Sequence, residues 1–382
     1  MRRSVLIAAA AASLVLAGAG PASAGAGWVI QPTPSVAGSQ LLGVSCTSAS
    51  NCVAVGDRGS VGKTMTLAEA WDGSTWRVLP APPLSSTDNT LSGVSCSAAD
   101  SCMAVGFGDT TSNTALLVEA WDGSTWTVLA PPVPPGGDFP ELTGVSCTAA
   151  DNCTAVGGYT VASTGFEKPL AEHWDGSTWT VQPAPTPLLG AMPDVLLESV
   201  SCTSAARCTA VGWYHRPGRA IVPLAERWNG TRWAIQDTHN PAGPIFSKLS
   251  GVSCSSPTVC VAVGVNTSNG IGVLAERWSN GSWVVQPTPA VPGETASGSL
   301  SGISCVSDRN CISVGDYVNK HHVFKPLAEH WNGSAWALQA TGQPAAGKVL
   351  TDDSCTSVAA CTAVGDLTDT VGSITGTLAE QR

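Results

Sequence analysis

Leu42-Gly43-Val44-Ser45-Cys46, five residues, then Cys52-Val53-Ala54-Val55-Gly56: this double segment decides the fold, because the 382-residue chain writes it seven times. The cysteines fall only in such pairs: Cys46 and Cys52, Cys96 and Cys102, Cys147 and Cys153, Cys202 and Cys208, Cys254 and Cys260, Cys305 and Cys311, Cys355 and Cys361. Successive first cysteines are 50, 51, 55, 52, 51 and 50 residues apart. A fixed period of that size signals a repeat architecture and overrides the several domains that length alone suggests.

Moving outward, the first unit continues with Leu67-Ala68-Glu69-Ala70-Trp71 and Trp76-Arg77-Val78-Leu79. The third repeats this as Leu170-Ala171-Glu172-His173-Trp174 and Trp179-Thr180-Val181-Gln182. Each unit thus holds four short segments rich in Val, Thr and Trp, bounded by Gly, Pro, Ser and Asn, which read as strands. Asp72-Gly73, Asn229-Gly230 and their equivalents, Asn280-Gly281 among them, join the third segment to the fourth and tolerate the positive φ of tight hairpins. Pro-rich stretches such as Pro80-Ala81-Pro82-Pro83 end the fourth, since proline cannot donate to a ladder.

Four strands per unit, seven times over, predict an all-β chain: a seven-bladed β-propeller with four antiparallel strands per blade. The last unit stops at Leu378-Ala379-Glu380-Gln381-Arg382, before its fourth strand, while Trp28-Val29-Ile30-Gln31-Pro32 matches Trp76 to Pro80. The expectation is that the N-terminal strand completes the last blade and protects both open edges. Residues 25–382 then form a single domain.

Val118-Glu119-Ala120-Trp121-Asp122 and Trp126-Thr127-Val128-Leu129 resemble the third and fourth strands of kelch repeats, the type found in the central domain of galactose oxidase. Ala104-Val105-Gly106 sits where kelch repeats carry a double glycine. Asp-Gly-Ser-Thr-Trp is similar to the Asp-box turn of sialidases, without the residue between Asp and Gly. Both resemblances imply a propeller, and neither carries a function across.

Arg2 and Arg3, the apolar run Val5 to Ala19 and the Ala22-Ser23-Ala24 cleavage signature read as a secretory signal peptide over residues 1–24. The run is short for a spanning helix and is broken by Gly18 and Gly20. The mature chain is expected outside the cell, with no membrane insertion. A net charge of −10 argues against nucleic-acid binding.

The C-x5-C spacing is not that of zinc sites, and an exported chain meets oxidising conditions, so the pairs are read as seven local disulfides. The Glu of Leu-Ala-Glu recurs as Glu69, Glu119, Glu172, Glu226, Glu276, Glu329 and Glu380. A catalytic acid is needed once per ring, so these are read as structural carboxylates accepting hydrogen bonds from amides or a Trp indole.

Binding residues are sought where the repeats disagree. The disulfide loops and Asp-Gly turns share one face and are uniform, whereas the loops after strands two and four vary and share the other. The residue after each Val-Gly is Asp57, Phe107, Gly158, Trp213, Val265, Asp316 or Asp366. Asp57, Asp316 and Asp366 fall on adjacent blades and form a candidate Ca²⁺ site. Trp213-Tyr214-His215-Arg216, with Tyr159 and Tyr317, forms an aromatic and polar platform suited to a sugar ring. The expected partner is an extracellular glycan or protein. The alternative is a carbohydrate-active enzyme, a lyase or hydrolase using Tyr214, His215 and Arg216. A copper-radical oxidase needs a free cysteine, and none is left over.

Overall fold

The computed structural model describes residues 27–382 apart from 35–37, 61–62, 83–87, 110–113, 188–193, 217–219, 239–245, 268–271, 292–296, 343–346 and 370–372. The expected signal peptide lies outside the described residues. Among the described residues all 28 regular elements are strands. The first unit folds as Ser39–Ser48, Asn51–Ser60, Lys63–Trp71 and Trp76–Val78, paired antiparallel in chain order. This four-stranded pattern recurs in five separate sheets and in one eight-stranded sheet. In the latter, the first two units meet through a single parallel bridge, Thr64 to Asp88.

The strand Val29–Gln31 joins the last sheet by pairing antiparallel with Ile374–Gln381, with Val29 opposite Gln381 from the other end of the chain. Trp28, just ahead of it, is 4% exposed and packs with Ile312, Val314, Leu350 and Leu378. Its amide donates to the Ala340 carbonyl at 3.0 Å.

No sheet has a core of its own. The apolar clusters lie between neighbouring sheets, because the second strands are buried on both faces. Val53 and Val55 face the second unit beside Leu91, Leu117 and Trp126, while Ala54 faces the last unit beside Val364 and Ala379. The paired tryptophans, such as Trp71 and Trp76 at 5.8 Å between ring centres, pack at the hairpin end of this interior.

All seven expected disulfides are present, with Cα atoms 3.9–4.0 Å apart. The serine before each first cysteine has a role the repeat pattern alone did not reveal. Ser45, Ser95, Ser146, Ser201, Ser253 and Ser304 each accept the amide of the next unit's first cysteine at 2.9–3.0 Å. Ser354 accepts the Cys46 amide at 2.9 Å and closes the circle. Each bond contributes about 1 kcal/mol net. Ser146→Ala should therefore lower the unfolding free energy by about 1 kcal/mol in denaturant titrations. An unchanged midpoint would show these serines to be bystanders.

The glycine of Ala-Val-Gly is required by a close approach. The first strand carries a bulge between Leu41 and Gly43, and a Cβ on Gly56 would collide with the Gln40 carbonyl. The Asp-Gly turns are longer than a two-residue hairpin. Trp71 pairs with Trp76 around a four-residue loop, where Asp72 Oδ1 accepts the Ser74 and Thr75 amides at 2.9 and 2.8 Å and only Gly73 has positive φ. Asn280-Gly281 is the exception: Ser279 pairs with Ser282, and both turn residues have positive φ. Its Asn lies one place later in the Trp-to-Trp interval, so the turn tightens.

The repeated glutamates also depart from expectation. All seven are buried, but Glu172, Glu226 and Glu329 have no hydrogen-bond partner on either oxygen among the described residues. Burial pushes Glu69, Glu119 and Glu329 up to about 7, and Glu172 and Glu226 up to about 8. Thr377 and Thr66 hydroxyls beside Glu69 and Glu119 offset part of that cost. The equivalent neighbour is Leu116 or Pro169 for Glu172 and Glu226, which offer nothing to an oxygen. Glu380 alone meets a buried ammonium, Lys348 Nζ at 2.5 Å.

Candidate functional site

The first strands, such as Ser39–Ser48 and Gly137–Ala149, touch one another in sequence, and Gly347–Ser357 returns to Ser39–Ser48. They enclose a central cavity of about 530 Å³. In most units its wall is small and neutral, written Leu-x-Gly-Val-Ser-Cys. Two units break that rule. The fourth reads Leu197-Glu198-Ser199-Val200, and the last reads Leu350-Thr351-Asp352-Asp353. One residue ahead of the leucine, Glu141 and Lys248 add further charge.

These five residues, Glu141, Glu198, Lys248, Asp352 and Asp353, all line the cavity, and sequence reasoning singled out none of them. The signal was available. Disagreement between repeats was sought after Val-Gly on strand two, whereas strand one carries it as well.

Glu198 is the hub. Lys248 Nζ contacts its two oxygens at 2.8 and 3.0 Å, and Trp213 Nε1 donates to Oε1 at 2.8 Å. Trp213 meets the His215 ring edge-on, with centroids 5.3 Å apart. His215 Nδ1 lies 3.3 Å from Asp194 Oδ2, whose other oxygen accepts the Glu167 amide at 3.1 Å. Burial, then the neighbouring charges of Glu167 and Glu198, raise the Glu141 carboxyl. Burial and Asp194 likewise raise Glu167, against a lowering by His215.

The run from Trp213 to Arg216 does not act as one platform. Successive side chains of a strand point to opposite faces. Trp213 and His215 therefore share the Glu198 side, while Tyr214 and Arg216 line a separate cavity of about 160 Å³ with Val222, Ile235 and Thr238. Tyr159 packs partly into the apolar cluster around Leu142 and Trp179, and Tyr317 into that around Leu300 and Trp336. Phe107 is half-buried, opposite Thr90 and Leu116 in register.

The three aspartates differ in their partners. Asp57 Oδ2 accepts Gln40 Nε2 at 2.8 Å and Thr90 Oγ1 at 3.3 Å. Asp316 Oδ1 accepts Ser299 Oγ at 3.2 Å. Burial raises Asp316 and Asp366 to about 6, and Asp316 is a repelling neighbour of Asp366. No group of three or more His, Cys, Asp or Glu among the described residues is arranged to hold a metal ion. Neutral donors, Gln40 and Thr90 at Asp57 and Ser299 at Asp316, bond one oxygen each of two of these aspartates.

No protein-family model and no curated protein matches this chain. Solved structures do. YCF48 bound to the D1 peptide aligns at 12% identity and TM-score 0.53, covering 93% of this chain and 97% of that one. A protein of unknown function from Dyadobacter fermentans aligns at 10% identity and TM-score 0.50, covering 94% and 99%. The likeness shows a β-propeller fold. Seven disulfides fit an oxidising environment, and no helix among the described residues is long and apolar enough to cross a membrane.

Proposed function

We propose that the chain is a secreted, disulfide-stapled propeller of seven blades, the eight-stranded sheet counting as two, whose central cavity serves as a binding site. The reading includes the kelch-like assignment of strands three and four and removal of the leader. The observation that carries it is positional. The charged exceptions to an otherwise repeated strand one converge on one cavity, and Trp213 reaches one of them, Glu198, through its indole. A purely structural channel has no use for Glu198, Lys248, Asp352 and Asp353 where other blades manage with serine, glycine and valine. A concave site with a few convergent polar groups, one of them held by a tryptophan indole, suits an extended extracellular ligand, a glycan segment or part of a protein partner. YCF48 carries a peptide, which shows only that this fold can present such a site.

The enzyme alternative rests on fewer residues than the sequence suggests. A lyase needs its base and its charge-neutralising cation around one substrate carbon. Tyr214 and Arg216 line one cavity while His215 sits beside Asp194 and Trp213, so a lyase on this face would work through Tyr214 and Arg216.

The test is retention on a panel of immobilised polysaccharides and peptides, with products assayed in parallel. Binding without new reducing ends or unsaturated sugars is expected. Trp213→Ala should weaken retention by about 10-fold or more, since aromatic anchors dominate such sites. Retention unaffected by Trp213→Ala and Glu198→Gln would move the site elsewhere.

A further inference from the structure

Four carboxyl groups, Glu141, Glu198, Asp352 and Asp353, line the central cavity against one amine, Lys248. Lys248 is committed to Glu198, which also accepts the Trp213 indole. Among the described residues the other three carboxyls have no ion-pair partner. The charged neighbours of Glu141 are themselves acids, Glu167 and Glu198. Asp352 Oδ2 accepts the Val44 amide at 2.9 Å from across the sheet gap, and its carboxyl also meets the Asp353 amide, so its partners are uncharged amides. Asp353 is 4% exposed, and its Oδ1 is buried with no partner among the described residues. Every other unit places an aliphatic residue here: Val44, Val94, Val145, Val200, Val252 or Ile303. An unpaired buried carboxyl costs stability, and a cation entering the cavity would supply the missing partner.

The spacing defines the shape of that cation. Taking Leu142 and Leu350 as one level, Glu141 stands one residue to one side, and Asp352 and Asp353 two and three residues to the other. At about 3.3 Å per residue the acids spread over roughly 10 Å along the axis. They also sit on different walls, with two first strands between them one way round and three the other. A compact metal ion cannot span this, in keeping with the lack of a three-ligand group among the described residues.

We propose that the cavity binds an extended aliphatic chain carrying two protonated amines, one held by Glu141 at one level and the other by Asp352 and Asp353 at another. This rests on the binding-module reading and names its ligand chemistry. The same pair of amines is presented by a free polyamine and by two lysine side chains of a partner segment.

Calorimetric titration of the mature protein at low salt tests it, with spermidine, cadaverine, a tetralysine peptide and uncharged 1-pentanol as probes. One site for an amine and none for pentanol is the expected result. Asp352→Gly with Asp353→Val restores the residues of the other units, so the variant should fold, and it should lose about 10-fold or more in affinity. Asp100→Asn with Asp151→Asn removes the same charge from the exposed disulfide loops and should change nothing. Binding of spermidine or cadaverine alone identifies a free amine, and binding of tetralysine alone a partner's side chain. No heat with any amine, or equal loss in both double variants, overturns the inference. A protein that still retains a glycan or peptide in the panel above keeps the module reading even then.

Discussion

Removing residues 27–34 should destroy cooperative folding of the ring, not merely fray one edge. The segment contributes the strand Val29–Gln31 and the buried Trp28, which fills the gap between the last two units. Trp28→Ala alone should cost about 3–5 kcal/mol, the usual effect of emptying a buried tryptophan site. Truncation adds the loss of three ladder positions and leaves Ile374–Gln381 as an open edge prone to association. Circular dichroism melts and size-exclusion profiles would read this as a lost or strongly lowered transition, with aggregation. A truncated protein that melts like its parent would falsify closure by the N-terminal strand.

The second large effect is an inverted pH profile. Glu69, Glu119, Glu172, Glu226 and Glu329 titrate at about 7 to 8 in the folded chain, against about 4.5 when free. Their raised values mean that the folded state holds protons the unfolded state releases. Stability is therefore greatest at and below the ordinary carboxylate range, falls as pH rises through 5 to 8, and levels off above the folded values. One pKa unit corresponds to about 1.4 kcal/mol, so even a partial response of five groups gives a loss of roughly 5–10 kcal/mol. The melting temperature should drop by about 10 °C or more between about pH 5 and pH 8. Asp72, Asp122 and Asp175 act oppositely: turn hydrogen bonds lower their values, and that stabilisation fades only as pH falls below the ordinary Asp range. Glu172→Gln with Glu226→Gln should flatten the slope and raise stability near pH 8. A melting temperature that stays level or rises from pH 5 to 8 would contradict the neutral buried acids.

These acids show where reading the chain reached its limit. Recurrence of Leu-Ala-Glu identifies a structural role, because a repeated residue meets a repeated environment. It does not reveal that the facing residue is a proline or leucine in some units and a threonine in others, since that residue belongs to the neighbouring sheet. The serine circle escaped notice for the same reason: Ser45 and Cys96 are 51 positions apart and meet only when sheets pack.

The candidate site divides along the same line. Strand number, hairpin disulfides and the partner of the N-terminal segment follow from local pattern, since each depends on residues adjacent in chain or matched by the repeat. Which side chains share a space does not. Trp213 and Tyr214 are neighbours in the chain and part company because a strand alternates faces. Glu141 and Asp352 are more than 200 positions apart and border one cavity because the ring closes. Periodicity alone determines a repeated sheet; only closure of that sheet on itself decides which exceptions to the repeat face one another.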